Sequence, residues 1–201
     1  MDVRREISWR ARVVDAAMRP LDGARGALVS RAKGRVLEVG AGTGLNLAHL
    51  DDDVTLACVE PDPVLAAALV ARAVGRARPV FVAKASAHAL PFDDGVFDAV
   101  LFSFALCTIR DPRRALSEAA RVLARDGQLL VVEHVRSSGV VERATQRALT
   151  PLWRMVSAGC HLDRATRDLV VECGFVVDET VRTDVARLPL FPVDAFVARR
   201  A

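Results

Sequence analysis

The most restrictive feature of the sequence is the alternation of short apolar runs with helical patterns between residues 35 and 135. Five runs predict strands, and they are rich in Val, Leu and Phe: 35-RVLEV-39, 54-VTLACVE-60, 79-PVFVA-83, 97-FDAVLFSF-104 and 128-QLLVVEHV-135. Runs that are apolar at consecutive positions are typical of strands covered on both faces. Strands that alternate with helices predict a parallel, doubly wound α/β sheet.

The rest of the pattern extends this sheet and caps it. Helices are predicted at residues 46–50, 63–74, 112–124 and 164–173. The last two strand candidates, 175-FVVDETV-181 and 191-FPVDAFVAR-199, have no helical pattern between them, so they predict an antiparallel hairpin at one edge. The expected sheet is therefore seven-stranded and mostly parallel, with an antiparallel C-terminal edge strand.

The chain length of 201 residues is sufficient for one domain. We expect a single domain over residues 1–201. It would comprise an N-terminal helical cap (1–33, with helices at 6–18 and 21–32), a core (34–135), an insert on the substrate side (136–174) and the C-terminal hairpin (175–201).

A glycine-rich turn follows the first strand, in 36-VLEVGAGTGLNL-47. Ligands of parallel sheets bind beyond the carboxyl ends of the strands, which is where this turn is expected. A dinucleotide-binding turn, G-x-G-x-x-G, would need its third glycine at position 45, but the chain has Leu45 there and Gly44 one residue earlier. A tight turn without a ligand is the plain alternative.

An acid follows the turn at a suitable separation. Glu60 ends the second strand about twenty residues after Gly40, where an acid in such a sheet accepts hydrogen bonds from the hydroxyls of a ribose. The alternative is a solvated strand end. The turn and the acid together favour a nucleoside-containing ligand.

Four ordered segments resemble the successive motifs of class I S-adenosylmethionine-dependent methyltransferases: 38-EVGAGTG-44, 59-VEP-61, 84-KASAHALPFDDGVFDAVLFSF-104 and 121-RVLARDGQLLVVEH-134. The resemblance implies a Rossmann-like fold and an enzyme that converts S-adenosylmethionine to S-adenosylhomocysteine. In that family the acid matching Glu60 holds the ribose hydroxyls. The cofactor-binding residues that it implies are Glu38, Gly40, Ala41, Gly42, Gly44, Asn46, Glu60, Pro61, Ser86, Ala87, His88, Ser103 and Phe104.

One position departs from the family pattern. The residue that contacts the adenine amino group is commonly Asp, and the matching residue here is Ser86, upstream of Leu90, Pro91 and Phe92. A hydroxyl accepts a hydrogen bond less strongly than a carboxylate. The backbone of the two residues after Ser86 is the alternative source of this contact.

The histidines and cysteines are widely separated in the sequence, at His49, His88, His134, His161, Cys58, Cys107, Cys160 and Cys173. They show neither the spacing of a zinc or magnesium site nor that of a disulfide framework. We therefore expect no metal and a reducing compartment.

Charge and hydropathy limit the remaining partners. The net charge of +3 gives no strong electrostatic reason to expect nucleic acid binding. The first residues, MDVRREISWR, contain no apolar run, and the longest mainly apolar run, 99–109, is shorter than the roughly 20 residues of a membrane helix. We expect a cytoplasmic protein without stable membrane insertion; the oligomeric state is not predicted.

The methyl acceptor is expected at the ends of strands 4 and 5. His134 ends strand 5 and can take a proton near neutral pH, although a structural histidine is an equal alternative. Cys107 is expected to form an apolar wall. The insert carries Trp153, Cys160 and His161, either as a lid over the substrate or as an ordinary packed helix.

Shorter segments narrow the resemblance. The runs 105-ALCTI-109, 132-VEHV-135, 151-PLW-153 and 159-GCHLDRAT-166 resemble the methyltransferase-like group, with a methyltransferase-11 type domain, that includes membrane-associated thiol S-methyltransferases of animals and their bacterial relatives. This resemblance implies a small, lipophilic acceptor such as a thiol. The hydrophobic anchor of the animal members has no counterpart in the residues given.

Other functions stay open. A C- or O-methyltransferase of the quinone-biosynthesis type and a phospholipid N-methyltransferase share the same cofactor motifs. A nicotinamide-dependent reductase is disfavoured by Leu45 and by the absence of Tyr from the whole chain. A binding module that retains the fold without its chemistry is the non-enzymatic alternative.

Overall fold

A computed structural model describes residues 8–157, 159–183 and 190–201, and its strands form a single sheet. The strands are β1 (Arg35–Val39), β2 (Thr55–Val59), β3 (Phe81–Ala83), β4 (Phe97–Ser103), β5 (Leu123–His134), β6 (Phe175–Thr180) and β7 (Val193–Arg200). Their order across the sheet is β3-β2-β1-β4-β5-β7-β6.

Six α-helices cover this sheet in the described part of the chain. They are α1 (Trp9–Met18), α2 (Asp22–Val29), α3 (Pro63–Ala73), α4 (Pro112–Val122), α5 (Val140–Val156) and α6 (Thr166–Glu172). The starts of α3 and α4 are set locally. In each case an aspartate, Asp62 or Asp111, accepts a backbone N–H of the first turn, and a proline occupies the start of the helix.

The pairing confirms the predicted sheet. Strands β1 to β5 are parallel to one another, and the order reverses between β1 and β4, which opens a crevice at their carboxyl ends. The antiparallel strand is β7, which pairs with both β5 and β6. It lies one place inside the sheet, so β6 is the outermost strand.

Apolar layers cover both faces of the sheet. Leu37 and Val39 of β1 pack on one face with side chains of α4 and α6, whereas Val36 packs on the other with side chains of α2 and α3. Burial on both faces explains why the central strands are apolar at consecutive positions. Polar groups therefore lie at the carboxyl ends of the central strands.

Two predicted helices are corrected. Residues 46–50 do not form an α-helix; a 3₁₀ turn covers Leu45–Ala48, and the carbonyls of Leu47 and Leu50 accept hydrogen bonds from the Arg76 guanidinium. The helix predicted over 112–124 ends at Val122. The next strand begins at Leu123, five residues earlier than predicted, because Leu123 is fully buried and pairs with Phe97.

The insert contains α5, which was not among the helices located from the sequence. Pro151 lies inside this helix, and prolines usually end helical patterns. The helix predicted at 164–173 is observed as Thr166–Glu172, and residues 1–7 of the predicted N-terminal cap lie outside the described residues. No helix among the described residues has both the length and the apolar composition that crossing a membrane requires.

Candidate active site

The glycine turn after β1 depends on three glycines with positive φ. A Cβ on Gly40 would lie 2.8 Å from the Cβ of Ala105, and a Cβ on Gly44 would lie 2.6 Å from Leu69 Cδ1. Gly42 differs, because a Cβ there would meet nothing within 4 Å. Two glycines therefore allow close packing against neighbouring elements, and the third leaves the backbone open at the mouth of the sheet.

Glu60 connects this turn to the end of β2. Its buried carboxylate accepts the backbone N–H of Gly42 at 2.8 Å through Oε2 and that of Asp62 at 2.8 Å through Oε1. Burial raises the pKa of Glu60, and the two backbone donors oppose that rise. Each oxygen keeps a further lone pair, so the carboxylate can still accept hydrogen bonds from a ligand. Pro61, next in the chain, is exposed.

A second buried acid lies under the turn. Glu38 Oε1 accepts a 2.6 Å hydrogen bond from Asn46 Nδ2, and burial raises the pKa of Glu38 to about 7. The Asn46 Oδ1 and Ser103 Oγ atoms are buried without a hydrogen-bonding partner among the described residues. Such atoms normally have a partner, so they fit a site that receives a polar ligand.

The loop after β3 carries the residues expected at the adenine. Ser86 Oγ accepts the His88 N–H at 3.2 Å, and His88 Nε2 accepts the Asp111 N–H at 3.4 Å. The His88 ring is thus directed to the start of α4. Ser86 is exposed and Ala87 half-buried, so both can be reached by a ligand.

The N-terminal helix α1 is attached to the glycine turn. Asp15 of α1 accepts a 2.5 Å hydrogen bond from the Thr43 hydroxyl and forms an ion pair with Arg72. Arg72 also donates to the Thr43 carbonyl at 2.6 Å. These three residues are far apart in the sequence, and no pattern there predicted their contact.

A fully buried acid fixes the loop after β4. Glu133 accepts backbone N–H groups from Ala105 and Leu106 at 2.7 Å and from Cys107 at 3.1 Å. Burial raises the pKa of Glu133 to about 7. The loop begins at Phe104, whose φ of 54° is unusual for a residue other than glycine. Glu133 was not among the residues predicted from the sequence, although an acid that ends the apolar run 129-LLVVE-133 is a detectable pattern.

The fold joins a histidine and two cysteines that are scattered in the sequence. Cys107, His134 and Cys160 place one ligand atom each within 4.8 Å of one another, and Cys160 Sγ lies 3.8 Å from His134 Nδ1. They come from the loop after β4, the end of β5 and the loop after α5. The expectation that the histidines and cysteines form no common site is therefore wrong for these three residues, because sequence spacing does not show which strand ends are adjacent.

The two thiols of this Cys107–His134–Cys160 cluster differ electrostatically. The neighbouring Cys107 thiol, helped by His134, lowers the pKa of Cys160. The neighbouring Cys160 thiol, together with burial, raises the pKa of Cys107. Cys160 is thus the first of the two to ionise. The guanidinium of Arg164 lies nearby and binds the carbonyls of Leu106 and Ile109.

Apolar side chains surround the cluster. Trp153 and Phe191 pack on it with ring centroids 5.0 Å apart, and the Phe104 ring lies 4.9 Å from that of His134. His161 donates its backbone N–H to the Cys107 carbonyl at 2.8 Å, and burial lowers the pKa of its ring. The four residues expected to bind substrate therefore lie together beside His134.

The cluster and the glycine turn are adjacent. Ala105, held by Glu133, is the residue that packs on Gly40. The mouth at β1 and β4 thus has a polar side that suits a nucleoside and an apolar side that carries the thiols.

Comparisons with known proteins agree with this arrangement. The family described as "Methyltransferase domain" matches residues 37–131. The chain is 32% identical to thiol S-methyltransferase TMT1B of Rattus norvegicus over 65% of this chain and 55% of that protein. It is 34% identical to a demethylmenaquinone methyltransferase of Thermus thermophilus over 64% of this chain and 54% of that protein.

Two further matches cover more of both chains. A phosphatidylethanolamine N-methyltransferase of Cereibacter sphaeroides is 32% identical over 76% of this chain and 75% of that protein. The crystal structure of an S-adenosylmethionine-dependent methyltransferase of Thermotoga maritima, described as a possible histamine N-methyltransferase, superposes with a TM-score of 0.63 at 25% identity and covers 95% of this chain and 97% of that one.

The chain spans just over half the length of the rat and Thermus proteins. The glycine turn, the acid after β2 and the strand order occur together with these matches. The chain therefore belongs to the class I S-adenosylmethionine-dependent methyltransferases.

Proposed function

We propose that the protein transfers a methyl group from S-adenosylmethionine to a small, lipophilic acceptor such as a thiol. The observation that carries the proposal is the position of the Cys107–His134–Cys160 cluster. It lies among apolar side chains, beside the turn that suits the donor. The thiol S-methyltransferase among the relatives supports the same acceptor class.

The donor would be held by the polar side of the mouth. We assign the ribose hydroxyls to Glu60 and the closest backbone approach to Gly42, with Gly40, Ala41, Gly44 and Pro61 shaping the turn. Asn46 Oδ1 and Ser103 Oγ offer acceptors without partners, and Glu38 orients Asn46. The adenine would lie against the loop after β3, formed by Ser86, Ala87 and His88, and Phe104 would border the reacting end.

S-adenosylmethionine, when bound, supplies a methyl group on a positively charged sulfur to a nucleophile placed in line with it. The protein's residues have to bind the acceptor, exclude water and favour its ionisation. We assign the contact with the acceptor thiol to His134, which is half-buried and follows Glu133 at the end of β5.

The apolar part of the acceptor would be held by the insert together with Phe191 and Cys107 from outside it. Trp153 and Phe191 pack against the cluster, and Cys107, Cys160 and His161 would form the inner wall of the acceptor site. Aromatic side chains bury large apolar areas, which suits a lipophilic molecule with one reactive atom. The insert, residues 136–174, would thus serve as the wall or lid of the acceptor site.

A second candidate is N-methylation of a phospholipid headgroup, and the relative from Cereibacter sphaeroides favours it. Several apolar side chains of α5 are exposed, including Val141, Leu152 and Met155, which suits contact with a lipid surface. A third candidate is methylation at carbon or oxygen, as in quinone biosynthesis, and the demethylmenaquinone methyltransferase of Thermus thermophilus supports it. We propose a cytoplasmic location and no nucleic acid partner, in line with the modest net charge.

The test is a methyl-donor assay with labelled S-adenosylmethionine over a panel of thiols, phenols, amines, a quinol and phosphatidylethanolamine vesicles. Mass spectrometry then locates the methyl group. We expect an S-methyl product from apolar thiols only. Methylation confined to the vesicles would replace the first candidate by the second.

Binding is measured separately by calorimetry with S-adenosylhomocysteine. Glu60→Gln should bind it at least about 10-fold more weakly, because charge-assisted hydrogen bonds contribute about 1.5–3 kcal/mol each. Glu179→Gln, which removes an exposed carboxylate paired with Arg31, is the matched control and should bind normally. Wild-type protein that binds the product but methylates nothing would favour a binding module.

A further inference from the structure

The Cys107–His134–Cys160 cluster has the ligand set of a metal site as well as the position of an acceptor site. We propose that these three side chains bind Zn²⁺ and that the acceptor thiol takes the fourth coordination position. The inference rests on the proposed function for the fourth ligand alone. The binding of the metal by the three side chains stands on their geometry.

The distances suit tetrahedral zinc. Zn–S bonds of about 2.3 Å and Zn–N bonds of about 2.0 Å place ligand atoms about 3.5–3.8 Å apart. Cys160 Sγ and His134 Nδ1 are already 3.8 Å apart, and all three ligand atoms lie within 4.8 Å of one another. Small side-chain rotations of Cys107 therefore suffice to close the site.

The supporting structure fixes each ligand. Glu133 accepts the N–H of Cys107, and the Cys107 carbonyl accepts the N–H of His161, which follows Cys160. The Phe104 ring packs on His134. The backbone thus ties both cysteine segments together before a metal binds, and a preorganised ligand set lowers the cost of binding.

The ligand chemistry selects the metal. Two thiolates and an imidazole suit zinc, whereas magnesium and calcium need oxygen ligands. Three protein ligands also leave one position open, which is the arrangement of catalytic rather than structural zinc sites. Both cysteines are at most 4% exposed and His134 is half-buried, so a fourth ligand would approach the metal from the side of His134.

The thiols would lose their protons to the solvent when they bind the metal. Zn²⁺ would bind both cysteines as thiolates, so a cysteine thiol that is still protonated gives its proton to the solvent. The acceptor thiol then binds through sulfur, its S–H bond breaks, and its proton also goes to the solvent. The resulting thiolate keeps the electron pair with which it attacks the donated methyl group; the bond between that methyl carbon and the sulfonium breaks, and its electron pair stays on the sulfur of S-adenosylhomocysteine. His134 would then act as a ligand rather than as the base.

The experiment is a cobalt titration of the reduced, metal-free protein, read by absorption spectroscopy. Co²⁺ in a tetrahedral thiolate site gives a sulfur-to-cobalt charge-transfer band and intense d–d bands. We expect both to saturate at one equivalent and to be bleached by one equivalent of Zn²⁺. Cys107→Ser and Cys160→Ser should each lose the charge-transfer intensity of one thiolate, and His134→Ala should weaken cobalt binding.

Cys173→Ser is the matched control, since Cys173 is a free, half-buried cysteine at the end of α6, outside the cluster. It should leave the spectrum unchanged. Adding an apolar thiol should shift the charge-transfer band of the wild type, because a new sulfur ligand enters. Thermal unfolding of each variant shows whether it is folded.

Three results would overturn the inference: no tetrahedral cobalt spectrum in the wild type, a spectrum of Cys107→Ser or Cys160→Ser that is unchanged from the wild type, or a disulfide between these cysteines that forms in air while the reduced pair binds no metal. S-adenosylhomocysteine binding in the same preparation separates the two proposals. Product binding and thiol methylation without metal would reject only the zinc site. A cobalt site in a protein that methylates no thiol would reject only the acceptor.

Discussion

Replacement of Glu38 by glutamine should change how the stability of the protein depends on pH. Glu38 is fully buried, and burial raises its pKa from 4.5 to about 7. The folded state therefore holds a proton that the unfolded state loses at lower pH. The stabilisation is fully present below pH 4.5, and it is lost as the pH rises through about 7.

The magnitude follows from the two pKa values. The difference between 4.5 and about 7 corresponds to about 3.4 kcal/mol of unfolding free energy, of which about 2.5 kcal/mol is lost between about pH 5 and pH 8. Glutamine does not titrate, and its side-chain oxygen can still accept the hydrogen bond that Asn46 donates to Glu38. The free energy of unfolding of the wild type should therefore fall by about 2.5 kcal/mol relative to Glu38→Gln over this range.

Urea denaturation at several pH values, followed by tryptophan fluorescence, measures this difference directly. Glu179→Gln should differ from the wild type by no more than about 0.5 kcal/mol at each pH, because exposed ion pairs contribute little. A difference in unfolding free energy between wild type and Glu38→Gln that does not change with pH would show that burial does not hold a proton on Glu38.

Three further predictions concern the cofactor side. Gly44→Ala should lower the unfolding free energy by about 2–4 kcal/mol, because the added Cβ would overlap Leu69. Gly42→Ala should lower it by only about 1 kcal/mol, because a Cβ there meets no neighbour. Urea denaturation measures both values. Gly42→Ala should instead weaken S-adenosylhomocysteine binding in calorimetry, since its Cβ enters the open mouth. Ser86→Asp should strengthen that binding about 3- to 10-fold by supplying a charged acceptor; weaker binding would mean that the adenine lies elsewhere. Asp15→Asn should lower the thermal midpoint by about 3–6 °C, because it leaves Arg72 without its ion-pair partner; an unchanged midpoint would show that α1 does not stabilise the turn.

The sheet was predictable because its pattern is local. Each central strand is apolar at consecutive positions, and Gly40, Gly42 and Gly44 mark the turn after β1 directly in the sequence. The place of Glu60 beside the turn was predictable for the same reason, since it follows from a fixed position at the end of β2. The order of strands and helices along the chain is enough to locate such residues in the fold.

The acceptor side was less predictable because it depends on which distant segments meet. Nothing in the spacing of Cys107, His134 and Cys160 indicates a shared site, since three separate segments supply them. A packed helix was one of the two expectations for the insert, but the bounds of α5 were not located, because Pro151 interrupts its pattern; the attachment of Asp15 to Arg72 is a contact between two helices. These features follow from tertiary packing, which a single sequence does not reveal.

The position of β7 between β5 and β6 has a consequence for folding during synthesis. Strand β5 ends in Glu133 and His134, yet its outer neighbour is made only after the insert and β6 have left the ribosome. Until then β5 presents unpaired backbone groups, which can pair with another chain. The acceptor wall can therefore be completed only late, and a nascent chain stalled before β7 should be prone to aggregation and should recruit chaperones.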